Sequence, residues 1–428
     1  MGGGALISRS EELYRRALEV MPGGVNSPVR AMRSIGRDPI FIDRGEGPCI
    51  WDVDGNRYID WVSSWGPLIL GHAHPLVVEA VRKAAGRGTS YGAPTAGEVD
   101  LAAEVAGRFA SVEMVRMTSS GTEATMSALR LARAATGRTT VMKFAGGYHG
   151  HVDGLLAEGG SGLATAGVPA SPGVTEAQAS DTVIVPWNDE EAVVEAIARG
   201  RPAAVIAEPI PANMGVVPPA PGFLEAVRDA TAEAGSLLIL DEVISGFRVA
   251  RGGAQELLGV EADLTVMGKV IGGGLPAAAY GGSHELMERM APAGDVYQAG
   301  TLSGNPVAVA AGLATLRKLD GAAYVGLDSA TTRLATGLRR AAGDLPVQVA
   351  SVPGLLTVFF SADPVQDFAG AQACDTEAYA RFCQALLDRG IYPPASQFEA
   401  WFPSLAHDEA SIDRTIEAAA EAFQQVIP

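Results

Sequence analysis

Residues 237–274 read LLILDEVISGFRVARGGAQELLGVEADLTVMGKVIGGG, and two short apolar runs in this stretch decide the fold. The first run, residues 237–240, stops at Asp241, and the second, residues 264–267, is followed after one glycine by Lys269. Apolar runs of about four to eight residues bounded by turn signals are typical of buried strands. Because open α/β sheets bind ligands at the carboxyl ends of their strands, this pattern predicts a site that contains both charges.

Asp241 and Lys269 together indicate a type of cofactor. A buried unpaired charge costs several kcal/mol, so each residue must face a partner or a cofactor. A lysine at a dry strand end is a candidate for Schiff-base formation, and a nearby acid suits a protonated pyridine nitrogen. The pair therefore points to pyridoxal phosphate, while a structural Asp–Lys ion pair under a loop is an equally good interpretation of this stretch alone.

Composition limits the class of protein. The chain has 428 residues, of which 47% are hydrophobic and 19% charged, as in a globular protein with more than one domain. Its net charge of −17 argues against nucleic acid and anionic membranes as partners. No apolar run approaches the roughly 18 residues of a membrane span, and the first residues lack the apolar segment of a signal peptide. The three cysteines are too few and too scattered for a disulfide framework, so we expect a cytoplasmic protein.

Strand and helix patterns alternate through the middle of the chain. The predicted strands cover residues 115–118, 141–144, 183–185, 204–207, 237–240 and 264–267, and the predicted helices between them cover residues 122–135, 189–199 and 223–234. Such alternation is typical of a mostly parallel sheet with helices on both faces. A small antiparallel piece at residues 40–42 and 49–51 precedes this region, and a mixed tail follows it. We therefore expect an α/β protein with a large domain over residues 66–310 and a smaller α+β domain built from residues 1–65 and 311–428.

Polar residues follow five of the predicted strands, and they are the best indication of a site. They are residues 119–122, residues 146–149, Glu208, Asp241 and Lys269. Chance would scatter such residues over both ends of the strands. Their gathering at one edge of the sheet predicts a binding site there.

The segment that begins at Ser120 has two interpretations. Ser120 and Glu123 fit a capping box, which needs no ligand. Gly121, however, would let a phosphate approach the backbone N–H groups, where the helix dipole favours a negative charge. Both interpretations predict that a helix begins here.

The next predicted loop carries a tyrosine and two histidines. Tyr148 is either a residue that stacks on an aromatic ring or a half-buried loop tyrosine. His149 and His151 have no cysteine or carboxylate at ligand spacing, so we do not expect a metal site. Residues 149–180 are rich in Gly, Ser, Ala and Pro and are too long for a simple connection. We expect them to form either a lid or a solvated surface loop.

Taken together, these residues resemble the class III aminotransferases, whose type I pyridoxal-phosphate fold has a seven-stranded, mostly parallel sheet. The similarity covers nearly the whole chain. Its segments are PGGVNSPVRA (22–31), GHAHP (71–75), SSGTEA (119–124), GGYHGHVD (146–153), GSGLAT (160–165), NMG (213–215), DEVISGFR (241–248), GKVIGGGLP (268–276), YQAGTLSGNP (297–306) and SQFEAWF (396–402). The SGTEA segment is shared across the family, whereas NSPVR, YQAGTLSGNP and SQFEA are typical of its aminomutase branch.

The resemblance implies contacts with pyridoxal 5'-phosphate. Lys269 would form the Schiff base, Asp241 would pair with the pyridine nitrogen, and Tyr148 and Val243 would pack on the two ring faces. Lys269, Asp241 and Tyr148 would be the catalytic residues. The other cofactor contacts would come from Glu208, Asn213, the phosphate-binding Ser120, Gly121 and Thr122, and Thr301 of the partner subunit.

The resemblance also implies a substrate side. Arg30 would hold a substrate carboxylate, with Ser27 and Glu399 near it, and Ser161 lies in the segment that is similar to the family's lid. Three positions in two segments depart from the family. Where many relatives read FEGCYHG this chain has FAGGYHG, which removes an acid and a cysteine, and Ala212 replaces a glycine and is expected to tighten the loop near the ring.

The implied reaction is an intramolecular amino transfer. It would convert glutamate-1-semialdehyde, which carries one carboxylate, to 5-aminolevulinate for tetrapyrrole synthesis, with the pyridoxamine 5'-phosphate form of the cofactor giving its nitrogen first. The implied partners are a second copy of the chain, in a homodimer with shared sites, and the enzyme that supplies the semialdehyde. Two alternatives stay open: a class III aminotransferase with an external amino donor, and a catalytically inactive pyridoxal-phosphate binder.

Overall fold

The computed structural model of the chain describes residues 8–158, 165–166 and 168–426. Its strands, in chain order, are β1 (Ile42–Glu46), β2 (Cys49–Asp52), β3 (Arg57–Asp60), β4 (Met114–Thr118), β5 (Val141–Phe144), β6 (Ala157–Glu158), β7 (Thr165–Ala166), β8 (Val168–Pro169), β9 (Thr182–Val185), β10 (Ala204–Ala207), β11 (Leu237–Glu242), β12 (Leu264–Met267), β13 (Ala278–Gly282), β14 (Gln348–Val352), β15 (Leu355–Phe359) and β16 (Ile391–Tyr392).

The α-helices lie before, between and after these strands. In chain order they are α1 (Arg9–Val20), α2 (Pro75–Ala85), α3 (Ala96–Ala106), α4 (Gly121–Thr136), α5 (Glu176–Ser180), α6 (Glu190–Gly200), α7 (Phe223–Ala234), α8 (Gly253–Leu258), α9 (His284–Met287), α10 (Pro306–Leu316), α11 (Gly321–Ala342), α12 (Phe368–Gln372), α13 (Thr376–Leu387) and α14 (Glu409–Gln424). None of the helices in the described ranges is long and apolar enough to cross a membrane.

The large sheet has the strand order β4-β13-β12-β11-β10-β5-β9-β7. Strands β12, β11, β10, β5 and β9 are parallel to one another, β13 lies antiparallel between β12 and β4, and the two-residue β7 is antiparallel to β9. The seven longer strands confirm the prediction of a mostly parallel, seven-stranded sheet. The apolar patterns did not reveal β13, because its sequence AAYGG contains no β-branched residue and two glycines.

Two predicted strands differ from the observed strands by more than one residue at one end or at both. Strand β11 extends past Leu240, because Asp241 and Glu242 pair with Val266 and Met267 of β12. Strand β1 begins at Ile42 and not at residue 40, since its pairing with β2 starts at this residue. Asp241 therefore lies inside the sheet, in a more rigid position than the residue after a strand would have.

Alternate residues of the parallel strands are buried on opposite faces of the large sheet. On one face, Ile206 and Ile239 pack with Leu131 of α4. On the other face, Val205 and Leu240 belong to the same cluster as residues of α6 and α7. Because both faces are covered, the strands are apolar over most of their length, which is why their sequences are mainly continuous hydrophobic runs.

A second, four-stranded sheet joins the two ends of the chain. Its order is β1-β2-β3-β16, and β16, from the C-terminal part, is parallel to β3. The N-terminal Trp61 shares a core cluster with Phe382 of α13 and Phe423 of α14. The domain boundaries given above, after residues 65 and 310, stay a prediction.

Candidate active site

A cavity of about 870 Å³ lies at the carboxyl edge of the large sheet. Residues that follow or end β4, β5, β10, β11 and β12 meet there, because parallel strands bring their carboxyl ends to one edge. Most of the predicted site residues line this cavity, namely Ser27, Ser120, Gly121, Thr122, Tyr148, Glu208, Asn213, Asp241, Val243, Lys269 and Glu399. A cavity of this size is in the range of small-molecule sites.

Arg30 and Thr301 do not line the cavity of their own chain. Arg30 is exposed on the short 3₁₀ helix Pro28–Ala31, directly after Val29, which does line the cavity. Thr301 is exposed on the loop before α10. Ser161 lies outside the described residues, as does part of the predicted lid.

Asp241 is buried, and both of its carboxylate oxygens have partners. Oδ1 accepts a hydrogen bond from the Val243 N–H at 3.0 Å, and Oδ2 lies 2.7 Å from Nδ1 of His149. The His149 side chain is itself fully buried, and its Nε2 has no hydrogen-bond partner. The alternative of a direct Asp241–Lys269 ion pair is wrong, since the acid is paired with His149 instead. From the sequence we considered His149 only as a metal ligand and did not predict this contact. The GGYHGH segment, which follows a predicted strand, already pointed to His149 as a site residue.

Lys269 follows β12 and Gly268 and has a backbone φ of 49°, in the left-handed region. Its Nζ donates a hydrogen bond to the carbonyl of Trp65 at 2.8 Å. Burial lowers the pKa of the Lys269 ammonium, while the carboxylates of Glu399 and Glu208 act in the opposite direction. A lowered pKa increases the fraction of neutral amine, which is the nucleophilic and proton-accepting form.

Glu208 organises the wall of the cavity next to Asp241. One carboxylate oxygen accepts from the Tyr148 N–H at 2.9 Å, and the other accepts from the Ala212 N–H at 3.1 Å and from Asn213 Nδ2 at 2.9 Å. Burial raises the pKa of Glu208, and His149 together with the Tyr148 and Asn213 donors opposes the rise. Glu208 therefore ties the Tyr148 loop to the turn of residues 209–213.

The first turn of α4 forms another wall. Ser120 Oγ accepts from the Glu123 N–H at 3.3 Å, and Glu123 Oε2 accepts from the Ser120 N–H at 3.0 Å, so the capping box is present. A side chain at Gly121 would place its Cβ 3.2 Å from Val243 Cγ2, and one at Gly268 would lie 3.1 Å from Cγ1. The two glycines therefore allow Val243 to pack closely between the start of α4 and Gly268, the residue after β12.

Among the lining residues that were not predicted as site residues, Thr125 and Trp65 come from unexpected places. Thr125, in α4, is buried, and its Oγ1 has no hydrogen-bond partner. Trp65 comes from a left-handed turn far away in the chain. The sequence carried no local signal for either residue.

These residues fit pyridoxal phosphate. A buried carboxylate and a lysine amine share one cavity, which also contains an aromatic and an apolar side chain, Tyr148 and Val243. Two of the buried polar side-chain atoms without partners, Nε2 of His149 and Oγ1 of Thr125, belong to lining residues. Since buried polar groups are rarely left unpaired, the cavity is suited to a polar ligand.

Comparisons with known proteins agree with this geometry. The family model for class-III aminotransferases matches residues 32–423. A glutamate-1-semialdehyde 2,1-aminomutase from Desulforudis audaxviator (strain MP104C) is 57% identical over 421 residues, which cover 97% of this chain and 98% of the relative. The structure of an omega-transaminase from Sphaerobacter thermophilus has a TM-score of 0.93 at 33% identity, with 99% of each chain covered.

A third similar protein is a glutamate-1-semialdehyde-aminomutase from Pseudomonas aeruginosa PAO1. Its structure has a TM-score of 0.88 at 28% identity and covers 98% of this chain and 95% of its own. A variant of that protein in complex with PMP gives the same values. With a family model that spans most of its length and a relative of more than half identity, the chain belongs to the class III aminotransferases.

Proposed function

We propose that this chain is a pyridoxal-phosphate-dependent isomerase that moves an amino group within glutamate-1-semialdehyde to give 5-aminolevulinate, a step of tetrapyrrole biosynthesis. The observation that carries the proposal is the 57% identity, over 97% of this chain, to a relative named for that activity. The cavity supports it, because Lys269, Asp241 and Glu399 line one site of about 870 Å³, enough for the cofactor and a small substrate.

Several lining residues would hold the cofactor. Asp241 would pair with the pyridine nitrogen and keep it protonated, and His149 fixes the direction of that carboxylate through a 2.7 Å contact. Tyr148 and Val243 would contact the ring, and the first turn of α4 would receive the phosphate. When bound, pyridoxal phosphate supplies an electron sink for the reacting carbon and alternates between its aldehyde and amine forms.

Lys269 would be both the covalent anchor and the proton carrier. Its Nζ would take a proton from the substrate carbon that bears nitrogen and return one during each half of the exchange. Proton uptake by Nζ requires the neutral amine, and burial favours this form because it lowers the pKa of Lys269. Burial also raises the pKa of Glu399, which faces the same amine.

The substrate would be bound at the rim formed by residues 26–30. Ser27 lines the cavity, and Arg30 lies on the following 3₁₀ helix. The substrate keeps one carboxylate throughout the reaction, and a guanidinium can hold such a group with two parallel hydrogen bonds. We therefore assign the carboxylate to Arg30, with Ser27 and Glu399 as its neighbours.

The decisive experiment supplies one substrate and no amino donor. Purified protein with its cofactor is incubated with glutamate-1-semialdehyde alone, and 5-aminolevulinate is measured. We expect catalytic turnover, and none in the Lys269→Ala variant. Product that forms only when an external amine is added would contradict the mutase assignment.

An aminotransferase with an external donor is the second candidate. The similarity to the omega-transaminase, with a TM-score of 0.93, favours it, because the same cofactor residues would serve both reactions. Its test is amino transfer from a simple amine to a keto acid in the absence of the semialdehyde. We expect this transfer to be slower than the mutase reaction by orders of magnitude. Turnover in either assay would also contradict an inactive binder.

The active unit would be a homodimer with shared sites. Large apolar side chains are exposed at the start of α2, around α3 and before α10, namely Leu76, Tyr91, Val99, Tyr297 and Leu302. Two of these segments are joined by a hydrogen bond from Asn305 Nδ2 to the Thr89 carbonyl at 2.6 Å. Such a surface suits a partner of the same kind, which would bring Thr301 of the partner subunit to the phosphate.

The proposed location is the cytoplasm. Cys49, Cys374 and Cys383 are all free and buried, as expected where thiols stay reduced. The enzyme that supplies the semialdehyde is proposed as a transient partner, because direct transfer would protect a reactive amino aldehyde from loss in solution.

A further inference from the structure

We propose that Arg248 is a positioning residue for Lys269: it holds the turn that receives the lysine amine, and it keeps a second positive charge beside that amine. Arg248 ends the DEVISGFR segment, and the function proposed above does not use it. The inference rests on the role proposed for Lys269, and it adds a residue that would act on the reaction without touching the substrate.

The turn of residues 63–66 has an unusual backbone. Ser63, Ser64 and Trp65 have φ values of 46°, 60° and 67°, and Gly66 has 111°. Left-handed conformations are unfavourable for residues with a side chain, and three in succession persist only if the surroundings hold them. The carbonyl of the third residue, Trp65, is the acceptor for Lys269 Nζ at 2.8 Å. The strained turn therefore fixes where the amine rests.

Arg248 holds the end of this turn. Its Nη2 donates to the carbonyl of Gly66, the residue after Trp65. Its Nη1 donates to the carbonyls of Gly354, at 3.2 Å, and Pro403, at 2.9 Å. One guanidinium thus joins the turn to two segments of the C-terminal part of the chain.

The other end of the turn is held by Asp60. Its Oδ1 accepts from the Val62 N–H at 2.8 Å, and its Oδ2 accepts from the Ser63 N–H at 3.2 Å. Ser63 Oγ donates to the Phe402 carbonyl at 3.1 Å. Because Asp60 and Arg248 hold opposite ends, loss of Arg248 would release the end that carries the Trp65 carbonyl.

The charge of Arg248 also reaches Lys269. The arginine side chain is fully buried, and in the described part of the chain it is bonded to carbonyls and to no carboxylate. Both cations lie over the ring of Phe402, with the Arg248 carbon Cζ 5.2 Å and Lys269 Nζ 5.9 Å from its centre. A side chain at Gly66 would contact both Phe402 and Lys269, so the four residues form one packed unit.

The electrostatic environment of Lys269 has contributions of both signs. Burial lowers the pKa of the ammonium most, and the positive charge of Arg248 acts in the same direction. The carboxylates of Glu399, Glu208 and Asp241 raise it. Arg248 therefore offsets part of the effect of three acids and favours the neutral amine that a nucleophile and base requires.

The test measures the reactivity of the Lys269 amine directly. Full-length protein freed of cofactor is mixed with pyridoxal phosphate at a series of pH values. The lysine nitrogen replaces the aldehyde oxygen, which leaves as water, and added borohydride reduces the new bond. Peptide mass spectrometry then gives the rate of labelling at Lys269. The variants are Arg248→Met and Arg248→Lys. Arg251→Met is the matched control, since Arg251 is an exposed arginine three residues further along the chain.

In Arg248→Met we expect the pH midpoint of labelling to rise by about one unit, the effect of two charges roughly 10 Å apart at an effective dielectric constant near 20. Arg248→Lys should keep the wild-type midpoint, because it keeps the charge. It should label severalfold more slowly at high pH, because it lacks the fork that holds Gly66. Arg251→Met should behave like the wild type.

The outcomes distinguish a failure of the role proposed for Lys269 from a failure of the role proposed for Arg248. Absent labelling of wild-type Lys269 would overturn the role of the lysine itself. Normal wild-type labelling with an unshifted midpoint in folded Arg248→Met would overturn only the role of Arg248. If circular dichroism shows that Arg248→Met does not fold, Arg248→Lys decides: a wild-type labelling rate in that variant overturns the proposal.

Discussion

Nδ1 of His149 lies 2.7 Å from Oδ2 of Asp241, and the two side chains are buried together at the edge of the large sheet. The sequence predicts where Asp241 lies but not how its carboxylate is oriented. The contact with His149 sets that orientation. The other oxygen of Asp241 is occupied by the Val243 N–H. The carboxylate therefore has one direction, set by a side chain on one side and by the backbone on the other.

Asp241→Asn should keep the fold and lose most of the activity. A neutral amide no longer favours a protonated pyridine nitrogen, so we expect kcat to fall on the order of 10²-fold or more. His149→Ala, which leaves the acid in place without its partner, should lose less. Turnover and the visible spectrum of both variants are the measurements. Wild-type values in Asp241→Asn would remove this residue from the mechanism.

Lys269→Ala should fold and bind the cofactor only non-covalently. The residue is both anchor and proton carrier, so absorbance of the bound cofactor and turnover should fall together, the latter by orders of magnitude. Thermal unfolding of the cofactor-free protein serves as the control and should change little. Near-native turnover would mean that the chemistry occurs elsewhere.

Arg30 distinguishes the mutase from a general aminotransferase. Arg30→Lys keeps the charge but loses the planar fork, and we expect a loss of roughly 2–4 kcal/mol in kcat/KM with a normal cofactor spectrum. Arg30→Ala should lose more. Arg33→Lys is the control, since Arg33 is an exposed arginine nearby in the chain. An arginine that was only a surface residue would be worth under about 1 kcal/mol, so a change below threefold in both Arg30 variants would place the carboxylate elsewhere.

Thr301 should serve the site of the other subunit. Lys269→Ala and Thr301→Ala chains are mixed under conditions that exchange subunits. A mixed dimer then has one site with both residues intact. We expect roughly a quarter of the wild-type specific activity, since half of randomly formed dimers are mixed and each has one good site. If Thr301 acted within its own chain, the mixture would show no recovery above the two parents.

His407 should make stability fall in mild acid. Burial lowers its pKa from 6.5 to about 4, because the buried imidazolium would lose its hydration. Between these values the unfolded chain binds the proton and the folded chain does not, so stability is full above pH 6.5 and is lost as the pH falls. The total loss is on the order of 3 kcal/mol. Urea unfolding of the wild type and His407→Gln from pH 7.5 to 5 checks this. Parallel pH dependences would contradict it.

The sequence by itself determined the sheet and the edge at which the site lies. Buried parallel strands have a local signature, a short apolar run, and helices α4, α6 and α7 follow from caps and periodic apolar faces within a few residues. Once the strands are known, topology brings Glu208, Asp241 and Lys269 to one edge without further information. The family motifs indicated which residues would contact the cofactor and the substrate. Strand β13 was not predicted from the sequence, because its packing and not its composition makes it a strand.

Only the tertiary structure decided how these residues are held. The Lys269–Trp65 hydrogen bond joins positions 204 residues apart, the Arg248–Gly66 bond spans 182 residues, and the His149–Asp241 contact spans 92. No local pattern encodes such pairs, because each depends on the backbone path of a distant segment. The left-handed turn at Ser63, Ser64 and Trp65 is the clearest case, since its residues have no intrinsic preference for that conformation and the surrounding packing and hydrogen bonds impose it.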